Sequence, residues 1–423
     1  MKVTAVIAEY NPLHNGHLYQ LDTIRHTENS DIILVIMSGN FMQRGIPAIV
    51  NKYERCRMAL LHGADLVFEL PVYFALGSAE YFAQGAVSLA DKLGVVDILH
   101  FGSESGNLSQ ILQYAKIVLD EPDWYKIELN KSLKQGCSFP AARSNALSKI
   151  FPSQDFQNFF HAPNNILATE YVKAILQRNS IIKPATLVRR GAAYTSISLE
   201  SDSFISANAI RNALYSQSSN TATESAIQNY MPADVYTLLQ NQERLYLEDF
   251  SEILLYKMLQ KNGSKDAFAD YFDVGRQLSH TLHNNLPHFI SFDDYVLLCK
   301  TKNLTHSRIC RSLMHILLEL TQEQADILKQ QDYTPYARLL GFTSRGQKLL
   351  KSIKANASIP IITKPSHGLK QLNGFALTTL QSDLFAANIY ESIRQQKQRR
   401  QPHNPTSLHR QNELTSELIK INF

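Results

Sequence analysis

Cysteine is scarce and unpaired in this chain. Its 423 residues hold four (Cys56, Cys137, Cys299, Cys310), none in CxxC spacing. That excludes the zinc sites and disulfide frameworks built from paired cysteines and fits a reducing cytoplasm. Long apolar runs are missing too. The longest aliphatic stretch of the first strand-like region covers residues 32–37, far below the ~18 apolar residues of a membrane-spanning helix. No charged-then-apolar leader precedes the first strand pattern, so secretion is not expected. Charged residues make up only 19% of the chain, and their sum is a bland +4.

The distribution of that charge is less bland. Residues 1–300 hold 25 Lys and Arg against 30 Asp and Glu, whereas residues 301–423 hold 17 against 8. A basic C-terminal third on an acidic body suits a polyanionic partner such as a nucleic acid, although a solvated basic face is the plain alternative.

At roughly 100–200 residues per domain, two or three domains are expected. Short apolar runs at 3–8, 32–37, 66–70 and 97–101 read as strands. Helical periodicity fills 16–25, 52–61 and 79–93, and Gly63 and Gly94 stand as stops. This alternation predicts an α/β fold with a doubly wound, Rossmann-like parallel sheet. Residues 185–188 add a strand and 206–215 a helix capped by Ser206. A Ser-, Asn- and Thr-rich stretch at 216–224 suits a linker. Beyond it, 235–260, 271–282, 292–300, 307–320 and 323–331 read as helices, 337–362 is mixed, and 364–377 reads as a loop. The expected division is therefore a nucleotide-binding unit at 1–220 and a helical, basic unit at 225–423. Residues 394–410 carry five Lys and Arg and no acid, which suits a mobile arm, and 414–423 has the apolar spacing of a docked helix.

The sharpest signal is Glu9-Tyr10-Asn11-Pro12-Leu13-His14-Asn15-Gly16-His17, between the first strand and the first helix. Doubly wound sheets bind ligands there, at a strand's C-terminal end facing a helix N-terminus whose free N–H groups favour phosphate. His14 and His17, three apart, share a helix face and can donate to phosphate oxygens as charge develops. By themselves, two histidines near a glycine are more often structural. Their position after the first strand favours the functional reading.

His14-Asn15-Gly16-His17 resembles the HxGH signature of the nucleotidyltransferase superfamily. Ile205-Ser206-Ala207-Asn208-Ala209-Ile210-Arg211 resembles its second signature, ISSTxIR, with Asn208 where Ser or Thr is usual. Four further segments, at 38–45, 63–71, 101–104 and 162–167, follow in order with 301–311. Together they make the whole chain resemble the tRNA(Met) cytidine acetate ligases. That resemblance implies ATP-dependent activation of acetate as acetyl-adenylate, with release of pyrophosphate, then acetylation of N4 of the wobble cytidine of elongator tRNA(Met).

The resemblance also carries an ATP site onto Ile7, Ala8, Glu9, Tyr10, Asn11, Pro12, Leu13, His14, Asn15, Gly16, His17, Leu18, Tyr19 and Gln20. Gly102, Asn164, Arg189, Arg190, Ser206 and Arg211 complete it. His14 and His17 are the catalytic pair, Mg²⁺ is expected with ATP, and no dedicated protein metal site is identified. For tRNA, Lys302, Arg308 and Arg311 form an acid-free run, joined by Arg399 and Arg400. No protein partner and no membrane are expected. Two rivals remain: a small-molecule adenylyltransferase of coenzyme synthesis, which does not need the basic third, and a non-catalytic tRNA-binding protein.

Overall fold

The computed structural model describes residues 1–137, 139–149, 151, 159–160, 162–189, 204–215, 227–400 and 412–422. Five strands arise at the short apolar runs: β1 (Val3–Ala8), β2 (Ile32–Ser38), β3 (Leu66–Leu70), β4 (Ile98–Ser103) and β5 (Lys183–Val188). All five are parallel, and β1 pairs with β2 on one side and β4 on the other. The order β5-β4-β1-β2-β3 therefore reverses direction beside β1. That reversal opens a crevice at the carboxyl end of β1, where ligands of such sheets bind.

Every residue of β2 is buried, as expected of a central parallel strand covered on both faces. On one face Ile36 and Phe68 pack with Phe82, Ala86 and Leu89 of α3 (Ala79–Lys92) and Tyr171 of α4 (Pro163–Gln177). On the other, Met37 and Val67 pack with Met58 of α2 (Lys52–Leu61) and Ile210 of α5 (Ala207–Tyr215). The first helix, α1 (Asn15–His26), buries Leu21 and Ile24 against Val6 and Ile33.

The helices expected beyond residue 225 are present, with one break. The 235–260 run divides into Ala233–Asn241 and Ser251–Lys261. Asp249 Oδ2 accepts the Tyr246 N–H at 2.7 Å and starts a separate turn there. The helix α6 (His306–Leu317) follows, capped by Thr305.

The expected division of the chain is not a division of the sheet. β6 (Ala337–Thr343) pairs antiparallel with β3, and β7 (Ile361–Ile362) and β8 (Ile419–Ile421) pair with β6. Residues 414–423 thus supply a strand where a helix was expected, because Ile419 and Ile421 alternate with Lys420. The 364–377 stretch is helical rather than a loop. Pro365 opens one short helix, and Gly374 opens α7 (Gly374–Arg399). Proline at the first helical position is favourable, since its missing N–H has no intrahelical partner to lose. The expected basic arm therefore begins as the last turns of α7. Its remainder (401–410), Arg190 and the linker at 216–224 lie outside the described residues.

Buried charge ties the added strands to the first sheet. Lys52 Nζ lies 2.8 Å from Glu69 Oε1 and 3.0 Å from Glu413 Oε2. Arg338 Nη1 lies 2.9 Å from Glu69 Oε2, and its Nη2 donates to Glu413. Burial alone would raise the Glu413 carboxyl, but Lys52 and Arg338 overcome it and hold the group at about 2.

Candidate functional site

The segment after β1 turns sharply, with Tyr10 at φ 46°, and delivers His14 as the N-cap of α1. The two imidazoles then cap the helix reciprocally. Gly16 N–H donates to His14 Nδ1 at 3.1 Å, and His14 N–H donates to His17 Nδ1 at 3.2 Å. Their rings stack with centroids 3.8 Å apart, and the edge of Tyr10 meets His17 at 4.9 Å. A Cβ on Gly16 would lie 2.9 Å from the His14 ring, so only glycine admits this packing without displacing the imidazole.

This capping determines protonation. Each Nδ1 accepts a hydrogen bond, so each neutral ring carries its proton on Nε2. Burial lowers His14 to about 3, assisted by the charges of Arg189 and Arg211. Burial, His14 and Arg189 likewise hold His17 well below its usual value. The pair therefore presents two neutral Nε2–H groups under the charges of Arg189 and Arg211.

The second motif closes on the first. Ser206 Oγ caps α5 by accepting the Ala209 N–H at 3.1 Å. One turn later Arg211 donates to the Asn11 carbonyl at 2.6 Å and to Asn208 Oδ1 at 3.2 Å. Asn208 thus spends its oxygen on Arg211 and keeps its amide N–H₂ as a donor. Ile49 N–H donates to Asn11 Oδ1 at 2.8 Å, while Asn11 Nδ2 and Tyr10 Oη are buried without a hydrogen-bond partner among the described residues. Such orphaned donors suit a bound polar ligand.

A third group stands over the ends of β4 and β5. The Arg189 stem passes Gly102, where a Cβ would lie 3.2 Å from its Cγ. Its Nη1 points to Asn164 Oδ1 at 3.5 Å. At the other side of the helix start, Gln20 Nε2 reaches His100 Nδ1 at 3.2 Å.

Of the expected ATP-binding residues, the structure brings the 7–20 loop, Arg189, Ser206 and Arg211 together, and Gly102 and Asn164 beside Arg189. Three supporting groups are not legible in the sequence. Glu104 closes one of the motifs with no role evident there, yet its carboxylate holds Asn164 and Asn165. Arg55 is fully buried and donates to the carbonyls of Glu9, Ser38, Gly39 and Val50, which pins the ends of β1 and β2. Phe204 packs against Tyr19 at 5.8 Å. A lone Glu, Arg or Phe has no spacing signal that marks it for such work.

The expected RNA-binding residues fall in two places. Lys302 and Arg308 are at the start of α6, and Arg399 and Arg400 are at the end of α7, exposed. Arg308 and Arg311 do not stand as an unpaired run: each lies 3.5 Å from Asp273. Arg311 is also only 11% exposed in its side chain, against 41% for Arg308. Arg400 pairs with Glu252 at 3.5 Å.

Comparison with known proteins extends these observations. Residues 1–404 match the family model described as HIGH Nucleotidyl Transferase. A tRNA(Met) cytidine acetate ligase of Thermoanaerobacter sp. (strain X514) is 38% identical over 92% of this chain and 95% of its own. One from Clostridium perfringens (strain SM101 / Type A) is 36% identical over 93% and 96%. The crystal structure of Thermotoga maritima TmcAL bound with alpha-thio ATP superposes with a TM-score of 0.89 at 31% identity, covering 100% of both chains. Its apo form gives 0.90.

Proposed function

The chain belongs to the HIGH nucleotidyl transferases and, within them, to the tRNA(Met) cytidine acetate ligase family, and we propose the following chemistry for its site. It is an ATP-dependent ligase that acetylates N4 of the wobble cytidine of elongator tRNA(Met). Acetate alone is a poor acyl donor, because its leaving group would be oxide or hydroxide. In the first step a carboxylate oxygen of acetate attacks the α-phosphorus of ATP. The P–O bond to pyrophosphate breaks, and pyrophosphate departs with the electron pair. In the second step the cytidine N4 bonds to the acetyl carbon, the bond to AMP breaks, and the nitrogen's proton leaves with the phosphate.

The observation that carries this reading is the neutral histidine pair of HxGH set between Arg189 and Arg211. Nε2–H donors and guanidinium groups fixed beforehand at a site of growing negative charge lower the barrier without reorganising during the step. Asn208, Asn11 and the N-terminus of α5 add N–H donors for the triphosphate. Gly102, Asn164 and Arg189 complete the ATP site, with Arg190 beside them in sequence. Mg²⁺ enters as the counterion of ATP. Among the described residues no three His, Cys, Asp or Glu side chains converge as a group that could hold a metal ion. Among them, too, no helix is long and apolar enough to cross a membrane. A tRNA substrate supports a cytoplasmic location.

The direct test is mass spectrometry of tRNA nucleosides after incubation of the protein with tRNA, ATP and labelled acetate. Labelled N4-acetylcytidine that needs both ATP and acetate is the expected result. Acetylation from acetyl-CoA without ATP, or none at all, rejects the reading.

A further inference from the structure

The motif Ser38-Gly39-Asn40-Phe41-Met42-Gln43-Arg44-Gly45 follows β2, and nothing in the ATP site accounts for its Arg44. Its backbone is held at both ends. On one side Gln43 N–H donates to Glu9 Oε1, in the nucleotide loop, at 2.8 Å. Gln43 Nε2 also reaches the Gly77 carbonyl at 3.3 Å. The turn closes on itself, with Met42 N–H donating to the Ile46 carbonyl and Gly45 N–H to the Met42 carbonyl, both at 2.9 Å. On the other side Gly45, at φ +79°, lies directly on α6. A Cβ there would sit 2.3 Å from the Arg311 backbone nitrogen and 2.5 Å from the Cys310 carbonyl carbon. Gly45 is therefore irreplaceable for two independent reasons, its left-handed backbone and its close approach to the helix.

Arg44, half-buried, stands between these anchors. One neighbour in sequence is fastened to the ATP loop and the other to the basic start of α6. That start is under-neutralised, because Arg308 and Arg311 share the single carboxylate of Asp273 at 3.5 Å each. Lys300 and Lys302 precede them, exposed. His306, already lowered by burial, is lowered further by the charges of Lys300 and Arg44, which places Arg44 within electrostatic reach of this cluster.

We propose that Arg44 is a substrate-positioning residue that grips a phosphodiester of the tRNA beside the target cytidine, joining the α6 cations to the nucleotide site. A guanidinium suits the task because its planar fork takes a phosphate in two parallel hydrogen bonds. This rests on the ligase reading above and adds to it the point at which RNA meets the adenylate.

The test compares full-length wild-type protein with Arg44→Gln and Arg44→Lys. Acetate-dependent ATP–pyrophosphate exchange reads the first step, and acetylation of tRNA at varied tRNA and salt reads the second. For Arg44→Gln the expected result is exchange within about twofold of wild type and a kcat/KM for tRNA lower by on the order of 10–100-fold. The salt dependence of tRNA affinity should flatten by about one counterion, and Arg44→Lys should recover part of the loss. Exchange falling as far as acetylation would instead place Arg44 on the triphosphate and overturn the proposal. So would tRNA kinetics unchanged in Arg44→Gln. Wild-type protein lacking both activities would overturn the ligase reading itself, and this proposal with it.

Discussion

Glu104 Oε1 lies 2.6 Å from Asn164 Nδ2, and the same carboxylate accepts the backbone N–H groups of Asn164 at 3.2 Å and Asn165 at 2.8 Å. One acid thus satisfies the start of α4 and fixes an amide. A carboxylate only accepts, so the Asn164 N–H₂ must face Glu104 and its Oδ1 must face outward, toward Arg189. Negative charge at this helix start, and the N–H groups it already occupies, make it a poor seat for a phosphate. Replacing Glu104 by Gln keeps the shape but lets the amide rotate and weakens charge-assisted bonds of ~1.5–3 kcal/mol each. The KM for ATP should rise about tenfold with kcat nearly unchanged, as steady-state exchange kinetics would show. A fall in kcat at constant KM would contradict a ground-state positioning role.

The reciprocal capping by His14 and His17 gives these residues two jobs that substitution can separate. Asparagine is a good N-cap, so His14→Asn should keep the melting temperature, whereas His14→Ala should lose about 1 kcal/mol of stability. Both should lose on the order of 10²–10³ in acetyl-adenylate formation, as for other removed charge-stabilising donors. Because His14 is lowered to about 3, it stays neutral across the working range. Exchange rates between pH 6 and 8 should show no inflection from it. An inflection near 6.5 in wild type that disappears in His14→Asn would refute the neutral-donor role.

Much of this site is legible in the sequence because its chemistry is local there. His14, Gly16 and His17 occupy four positions, and the strand before them announces itself by β-branched apolar residues. Glu104 and Arg55 act across the fold on backbone groups, which no spacing records. The same holds for the edge of the sheet. β6 reaches β3 from far along the chain, in register pairs such as Leu339 with Phe68 and Arg338 with Glu69. Only the assembled fold shows that Arg338 lies in the same sheet as Glu69 and that Glu413 pairs with it. Helical spacing places Arg311 beside Arg308 and so suggests a surface cation, but its pairing with Asp273 and the approach of Gly45 to its backbone come from distant parts of the sequence.

The buried charges predict two separate pH windows. Asp383 is raised from near 3.8 to about 7 by burial and then by Glu69, against hydrogen bonds from Tyr336 and Val72 that lower it. A carboxyl with a raised folded-state value favours the protonated native state. Its contribution is full below about 4 and is lost as pH rises through about 7. Asp383→Asn should flatten that decline and melt about 2–4 °C above wild type at pH 8. Glu413 is the opposite case: held at about 2 against an ordinary 4.5, it stabilises above 4.5 and loses this as pH falls toward 2. Glu413→Gln leaves Lys52 and Arg338 short of a buried partner and should cost about 3–5 kcal/mol at pH 7. Melting curves across pH 3–9 check both, and parallel wild-type and Asp383→Asn profiles would reject the first.

The basic third of the chain makes its own prediction, independent of Arg44. Lys302 is exposed, and Arg308 is 41% exposed while sharing Asp273 with the largely buried Arg311. Arg311 should stay in place, because its side chain is largely buried and pairs with Asp273. Replacing Lys302 and Arg308 by Gln removes two surface cations with little effect on the core, since such side chains rarely hold a core together. Affinity for tRNA should fall, and the slope of log affinity against log salt should flatten by about 0.7–0.9 for each phosphate no longer neutralised. Acetate-dependent pyrophosphate exchange should be unchanged, because HxGH, Arg189 and Arg211 lie on the first sheet and its helices. Unchanged tRNA affinity and slope in this double variant would move the RNA face to the end of α7. There Arg399 and Arg400 stand exposed, and Arg400 is tied only loosely, at 3.5 Å, to a Glu252 that is itself 76% exposed.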